Sequence, residues 1–344
     1  MGTESACIPP PHKCWGLQQG DIMKTMQNKT VLITGGAGFI GSCFSRKLVG
    51  MGADVIVYDN LSMGKYDFIK NLTKSKRFKF VKGELLDQKF LNLQVDRHRP
   101  DAIIHLAANP DVRASLRNTR LDLEQGTIAT YNVVEAARRY DVKDILLSSS
   151  GSVYGNADLR PTPEEYGPLR PVSLYGASKL ASEALVASFS HLYGFDFYMY
   201  RFANIVGANL THSVILDLMN KLNKSKRSLE VLGSGKQRKG YLDVGDCVNG
   251  MLLVYRKSRQ KENLYNLALS DQISVREIAE LIVRRFSPNA EIKYTGTGGG
   301  WPGDVQDTYL SNKKIKRLGF RPTYKTTKEV VVHAIEANRS IYKR

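Results

Sequence analysis

With 344 residues, 42% of them hydrophobic, the chain is long enough for one large domain or two smaller ones with real cores. Its four cysteines, Cys7, Cys14, Cys43 and Cys247, are scattered without a CxxC pair. That argues against a zinc site, another metal site or a disulfide framework, and for a reducing compartment, the cytoplasm. The net charge of +17 is spread in small runs such as 74–77 and 224–227 without interleaved aromatics. It therefore reads as a solvated basic surface, with no nucleic-acid partner; attraction of anionic ligands such as nucleotide phosphates is the competing reading.

In chain order, residues 1–27 show no signal-peptide pattern. They are expected to form a disordered extension or to reflect a start-site artefact, with Met23 and Met26 as later starts. The short apolar run at 30–34 predicts a buried strand, and helical spacing follows over 39–51. Further strands are predicted at 54–58, 78–81, 102–106, 144–148 and 195–201, with long helices over 121–140 and 175–193. Short apolar strands joined by helices predict an α/β fold, a doubly wound parallel sheet covered on both faces. After Asn204 the alternation is lost. Amphipathic helices at 276–286 and 327–342 and a glycine-rich loop at 296–303 predict a smaller α+β part that covers a ligand. No stretch is long and apolar enough to span a bilayer, and no membrane partner is expected.

Two places carry chemistry. The first strand runs into Thr34-Gly35-Gly36-Ala37-Gly38-Phe39-Ile40-Gly41 and then a helix. Gly35 permits the tight turn, Gly38 lets backbone approach a pyrophosphate, and Gly41 lets helix and strand pack closely. The free N–H groups of the helix then face the phosphates. Asp59 ends the second strand. A carboxylate there accepts from the adenosine ribose hydroxyls and repels a ribose phosphate, which favours NAD over NADP.

The second place is the serine-rich strand end at 148–155 and the Tyr175/Lys179 pair downstream. The Tyr-x-x-x-Lys spacing also occurs at Tyr66/Lys70, Tyr309/Lys313 and Tyr324/Lys328, so the spacing alone says little. Only Tyr175 follows the serine-rich strand end and opens a long helix. One helical turn apart, the Lys179 ammonium is expected beside the Tyr175 phenol. A free phenol titrates near pH ~10; the ammonium and a positive nicotinamide are expected to lower that by ~3 units.

Taken together, the segments 34–41, Asp59-Asn-Leu-Ser62, His105-Leu-Ala-Ala108, 148–155, 175–179, 201–207, Gly233-Ser-Gly-Lys-Gln237 and Pro302-Gly-Asp304 are specific. Over about 29–324 the chain resembles the extended short-chain dehydrogenase/reductase superfamily. Within it, the chain resembles the NAD-dependent epimerase/dehydratase family, above all its UDP-glucose 4-epimerase-like members. The resemblance implies a Rossmann domain at 28–204 with 241–268 returning to it. A nucleotide-sugar domain is implied at 205–240 and 269–344. It also implies NAD as cofactor, a nucleotide-diphosphate sugar (UDP favoured) as substrate, and a homodimer through the helices at 121–140 and 175–193. Tyr175 becomes the base, Lys179 holds the nicotinamide ribose and tunes Tyr175, and Ser150 bonds the reacting hydroxyl. Phe39, Ile40, Asn60, Ser62, Glu84, Leu85, Leu106, Ala107, Ala108 and Phe202 join Gly35, Gly38, Gly41 and Asp59 around the cofactor. Ser152, Asn204, Val214, Leu232, Arg238, Lys239, Trp301 and Asp304 fall to the substrate, with 229–232 packing on the nucleotide base.

The chain departs from the family pattern at four points. Lys239, with Arg238 before it, takes the place of an arginine expected on the diphosphate; Trp301 takes the place of a second arginine. Gly126 replaces a cofactor-contacting asparagine, which puts the local helix geometry in question, and Gly83-Glu84 replaces Gly-Asp. Thr308 stands where relatives often carry a bulky tyrosine, implying a roomier sugar pocket that admits an N-acetyl group, although Tyr309 is adjacent. Dehydratases and decarboxylases of the family carry carboxylates next to the catalytic strand end, where this chain has Gly151 and Ser152. Glu164 and Glu165, on a proline-rich loop, are expected to face solvent. C4 epimerisation through a 4-keto intermediate is thus favoured over dehydratase, decarboxylase or 4-reductase chemistry. A catalytically inactive NAD-binding regulator is the rival of another class, against which stands the joint presence of Ser150, Tyr175 and Lys179.

Overall fold

The computed structural model describes residues 24–260, 262–296 and 300–342. The first half alternates: β1 (Thr30–Thr34), α1 (Phe39–Gly50), β2 (Asp54–Asp59), β3 (Phe78–Lys82), α2 (Gln88–His98), β4 (Ala102–His105), α3 (Arg120–Asp122), α4 (Ala129–Arg139), β5 (Asp144–Ser150), α5 (Leu174–Tyr193) and β6 (Asp196–Phe202). There follow β7 (Asn204–Val206), α6 (Val214–Lys224), β8 (Ser228–Val231), β9 (Arg238–Lys239), β10 (Tyr241–Asp243), α7 (Val244–Lys257) and β11 (Asn263–Leu267). Last come β12 (Ile273–Ser274), α8 (Val275–Phe286), β13 (Glu291–Tyr294), β14 (Asp307–Thr308), α9 (Lys313–Arg317) and α10 (Thr327–Ala337).

Seven strands form one parallel sheet in the order β11-β6-β5-β4-β1-β2-β3. In the central strands apolar side chains are buried on both faces, so these read as apolar runs, whereas the edge strand β3 carries exposed Lys79 and Lys82. The helices α1 and α7 cover one face, and α2, α4 and α5 the other. The order reverses between β1 and β4, and such a reversal opens a crevice beyond the carboxyl ends of the strands. Smaller pairings, β10 with β7, β13 with β8, and β12-β9-β14, carry the later residues over that crevice.

Several expectations need correction. The helix over 121–140 is not uniform: a π-helical segment, Leu123–Ile128, separates α3 from α4. Gly126 lies inside it, and a β-carbon there would stand 2.6 Å from the Ser178 hydroxyl oxygen on α5. The wide turn thus permits close approach of the two helices. The last helix ends at Ala337 rather than 342, because the Asn338 side chain donates to the Ala334 and Gly207 carbonyls and a 3-10 turn, Arg339–Ile341, follows. The expected extension over 1–27 is ordered at its end: Met26 is buried in the core. Lys24 pairs with Asp144 and Asp196, each at 2.6 Å. Residues 1–23, and 297–299 of the glycine-rich loop, lie outside the described residues. Glu165 is exposed, but Glu164 is not. Its Oε1 accepts from the Asn266 backbone N–H at 2.8 Å in a buried polar network under the sheet end.

That network centres on Arg201. Its guanidinium donates to both carboxylate oxygens of Glu183, at 3.0 and 2.8 Å, and to the Glu164 carbonyl at 3.1 Å, and lies over the Tyr154 ring. The Ser149 hydroxyl also donates to Glu183. Breaking a buried pair from one side leaves a bare charge. Arg201→Met is therefore expected to lower unfolding stability by about 3–5 kcal/mol in urea titration; a change near zero would show that the pair contributes nothing net.

Candidate active site

A cleft of about 820 Å³ runs along the carboxyl ends of β1, β2, β4 and β5 and under β9 and β14. Its floor at one end is the β1–α1 turn. Gly35 has φ +67°, and a β-carbon there would lie 2.7 Å from the Ala107 backbone nitrogen. Gly41 has no room for a β-carbon because the Gly35 carbonyl occupies it. The helix α1 follows Gly38, its N-cap, with no side-chain cap and no acidic residue in its first turn, so its N–H groups are left for a ligand anion. Asp59 is buried beside this turn; it accepts from the Ala37 N–H at 3.0 Å and the Leu61 N–H at 2.8 Å. Burial raises its pKa, the two backbone bonds lower it, and the charge of Glu84 raises it further. Glu84, the family's aspartate by position, accepts from Asn60 Nδ2 at 2.7 Å. A turn that only glycine fits, uncapped N–H groups and a fixed carboxylate beside them are the features that a dinucleotide with diphosphate and ribose requires.

At the other end, the strand β5 delivers Ser148, Ser149 and Ser150 to the cleft, and α5 delivers Tyr175 and Lys179. The Ser173 hydroxyl accepts from the Gly176 N–H at 3.1 Å and starts α5 one residue before Tyr175. Lys179 is buried, and its ammonium donates to the Ser148 carbonyl at 2.8 Å. It stands 5.8 Å from the Tyr175 ring centre. The Ser150 hydroxyl accepts from the Ser152 N–H at 3.2 Å and from the Ser152 hydroxyl at 3.0 Å.

The expected lowering of the Tyr175 phenol is not what the protein alone produces. Burial pushes it up to about 12, against a bond to Ser150 that lowers it, while the Asp122 charge raises it. Burial also pushes Lys179 down to about 8, against the charges of Glu183 and Asp122. In the protein by itself desolvation is the largest influence on both groups.

The cleft brings together the residues named from the sequence for cofactor and substrate, with one exception. Arg238 points away from the cleft: on β9 successive side chains alternate, so Lys239 faces in while Arg238 reaches the Gln272 carbonyl and Glu277 outside. Lys239 is already engaged by Asp304. Of the segment 229–232, Val231 and Leu232 line the cleft, whereas Leu229 is buried elsewhere in the core. Sequence reasoning missed Asn109–Val112 and Thr211–Ser213, which also line it. The first directly follows His105-Leu-Ala-Ala108, a usable signal; the second, with its solitary His212, carries none. The cations lining the cleft are Arg113, Lys179 and Lys239, against Asp59, Glu84, Asp111, Asp217 and Asp304. The excess positive charge of the chain therefore lies outside the cleft.

Comparison with known proteins agrees with this geometry. The sequence profile of the NAD dependent epimerase/dehydratase family matches residues 31–268. A putative UDP-glucose 4-epimerase of Methanocaldococcus jannaschii is 31% identical over 297 residues, 85% of this chain and 93% of that one. A human dTDP-D-glucose 4,6-dehydratase is 28% identical over 328 residues, 92% of this chain and 90% of that one. The solved structure of a Thermus thermophilus UDP-glucose 4-epimerase in complex with NAD superposes with a TM-score of 0.80 at 27% identity, covering 90% of this chain and 99% of that one. Gly35→Ala is expected to weaken NAD binding by about tenfold or more, since the backbone at positive φ and the Ala107 contact must both yield. Calorimetric titration with NAD measures it, and an unaltered affinity would refute the close approach.

Proposed function

The chain belongs to the NAD-dependent epimerase/dehydratase family, and from that premise we propose that it epimerises a nucleotide-diphosphate sugar, UDP-linked, at C4 through a transient 4-keto sugar. The observation that carries this reading is the reactive end of the cleft. Ser150, Tyr175 and Lys179 line it, and the positions next to Ser150 are Gly151 and Ser152, with no carboxylate for elimination or decarboxylation chemistry. Of the carboxylates on the following loop, Asp158 accepts from the Tyr166 hydroxyl and Glu164 is committed to the Arg201 network; neither lines the cleft.

Bound NAD supplies the acceptor, and later the donor, of the C4 hydride. Tyr175 accepts the proton of the 4-hydroxyl as the C4–H bond breaks, and returns it when the hydride comes back to the opposite face of the turned sugar. No cofactor is consumed. Ser150 holds the reacting oxygen, and Lys179 supplies the positive charge that favours the phenolate once the cofactor's own positive ring adds to it. The nucleotide is gripped at the diphosphate by Lys239, so the sugar remains free to turn. Lys239 is a point charge where an arginine fork is usual, which keeps attraction but relaxes geometry.

Thr308 lines the sugar end and packs beside Gly151, while the Tyr309 hydroxyl turns away to donate to the Ser270 carbonyl at 2.7 Å. This small residue supports a pocket that takes UDP-N-acetylhexosamines as well as UDP-hexoses. A homodimer is part of the same reading: Leu123, Tyr131, Leu192 and Tyr193 on the π-helical segment, α4 and α5 are exposed apolar side chains. So is a cytoplasmic location, which the unpaired thiols Cys43 and Cys247 fit; no helix among the described residues is long and apolar enough to cross a membrane.

Incubation of the purified protein with UDP-, GDP-, CDP- and dTDP-sugars, followed by chromatography, is expected to give partial conversion of UDP-sugars to their 4-epimers with no net NAD reduction. Loss of water or carbon dioxide from the substrate would overturn the reading, and strict preference for the plain hexoses would remove the roomy pocket. Tyr175→Phe is expected to cost about 10²–10⁴ in turnover while NAD still binds. Sedimentation equilibrium is expected to show a dimer that Tyr131→Glu dissociates; a monomeric parent protein removes the pairing.

A further inference from the structure

Asp122 ends α3, immediately before the π-helical segment, and is only 2% exposed. Its Oδ1 accepts from Asn109 Nδ2 at 3.0 Å, and its Oδ2 has no hydrogen-bond partner among the described residues. A buried carboxylate oxygen without a partner is costly, so its presence calls for a local reason. The surroundings supply one. Asn109 lines the cleft and is held in place by Asp111, donating to its carbonyl at 2.9 Å and accepting from its N–H at 3.0 Å. The helix α3 packs on α5, which carries Tyr175 and Lys179. The Lys179 ammonium has three N–H donors, one of which reaches the Ser148 carbonyl.

We propose that Asp122 is a positioning residue for the reaction: a fixed, buried anion that keeps Lys179 charged and sets the pH window in which the Lys179–Tyr175 pair can work. The proposal rests on the reading that this pair acts on a nucleotide sugar beside NAD. Besides Tyr175, three ionisable groups share an electrostatic influence with Lys179. Glu183, on α5 itself, is held in a two-pronged pair with Arg201 of β6. His105, on β4, is bonded to Thr34 at 2.6 Å and Thr130 at 3.0 Å, and burial pushes it down to about 3, so it is neutral. Asp122, on α3, is the counter-charge that no cation among the described residues pairs with.

Its electrical reach covers both members of the pair, favouring the charged Lys179 and the neutral Tyr175. An anion stabilises an ammonium and destabilises a phenolate, so removing its charge moves both titrations to lower pH. Loss of a merely structural contact would reduce the height of a pH profile without displacing its limbs.

The test uses the full-length protein with Asp122→Asn, a near-isosteric neutral variant, Asp122→Ser as a second neutral variant, and Asp122→Glu, which keeps the charge. The first readout is NAD affinity against pH. In the parent protein, affinity is expected to fall as pH rises past about 8, where Lys179 loses its proton. In the neutral variants that fall is expected about one pH unit or more lower, and Asp122→Glu is expected to stay near the parent. The second readout is the turnover profile, whose acid and alkaline limbs are both expected to move to lower pH in the neutral variants. Neutral variants whose NAD affinity follows the parent curve would overturn the proposal, whether or not any sugar is turned over. A parent protein that binds NAD but turns over no nucleotide sugar would sink the epimerase reading alone.

Discussion

A positive charge taken out of water at the end of β5 is the constraint on which the rest of the site depends. Burying an ammonium costs several kcal/mol unless its surroundings replace the lost hydration. For Lys179 they do so through the Ser148 carbonyl, which is available because β5 ends there, and through the fields of Glu183 and Asp122. Each of these is itself held: Glu183 by Arg201 and Ser149, and Asp122 by Asn109. The helix that carries Lys179 cannot slide, because Ser173 caps its start and a β-carbon at Gly176 would lie 2.8 Å from the Ser152 carbonyl. The strand end, the helix start and the polar network beneath them are thus one mechanical unit around one charge.

The opposite end of the cleft follows a different logic. There the protein offers backbone rather than side chains: a glycine turn and the open start of a helix. Between the two ends, Lys239 meets Asp304 across the cleft, so a ligand phosphate arriving there competes with a carboxylate already in place. An arginine could serve both anions with separate prongs; a lysine divides a single charge between them. On the proposed reading, the site combines rigid recognition of the cofactor with a softer hold on the diphosphate.

The fold was legible where the physics is local. Buried parallel strands declare themselves as short apolar runs, and all seven strands of the sheet except β11, which arrives late in the chain, lie close to their expected positions. The glycine turn, Asp59 and the Tyr175/Lys179 pair were legible because tight turns and helical spacing are written in adjacent residues. What stayed hidden depends on packing over distance. The π-helical turn at Gly126 accompanies the close approach of Ser178, far along the chain. Glu164 looked solvated from its proline-rich context, yet it caps Asn266 in the core. The upward shift of the Tyr175 phenol reflects desolvation, which no spacing rule encodes. Arg238 and Lys239 were both assigned inward, although strand alternation allows only one of two neighbours to face the cleft.

Trp301 replaces an expected arginine in the cleft wall, and its consequence extends beyond recognition. The chain has two tryptophans, and this one, half-buried, lines the space a substrate must enter. Indole emission responds to the polarity and charge around the ring, so this residue gives the protein an intrinsic optical gauge of occupancy. Where the resemblance implies a guanidinium, the chain thus carries a fluorophore in the cleft wall.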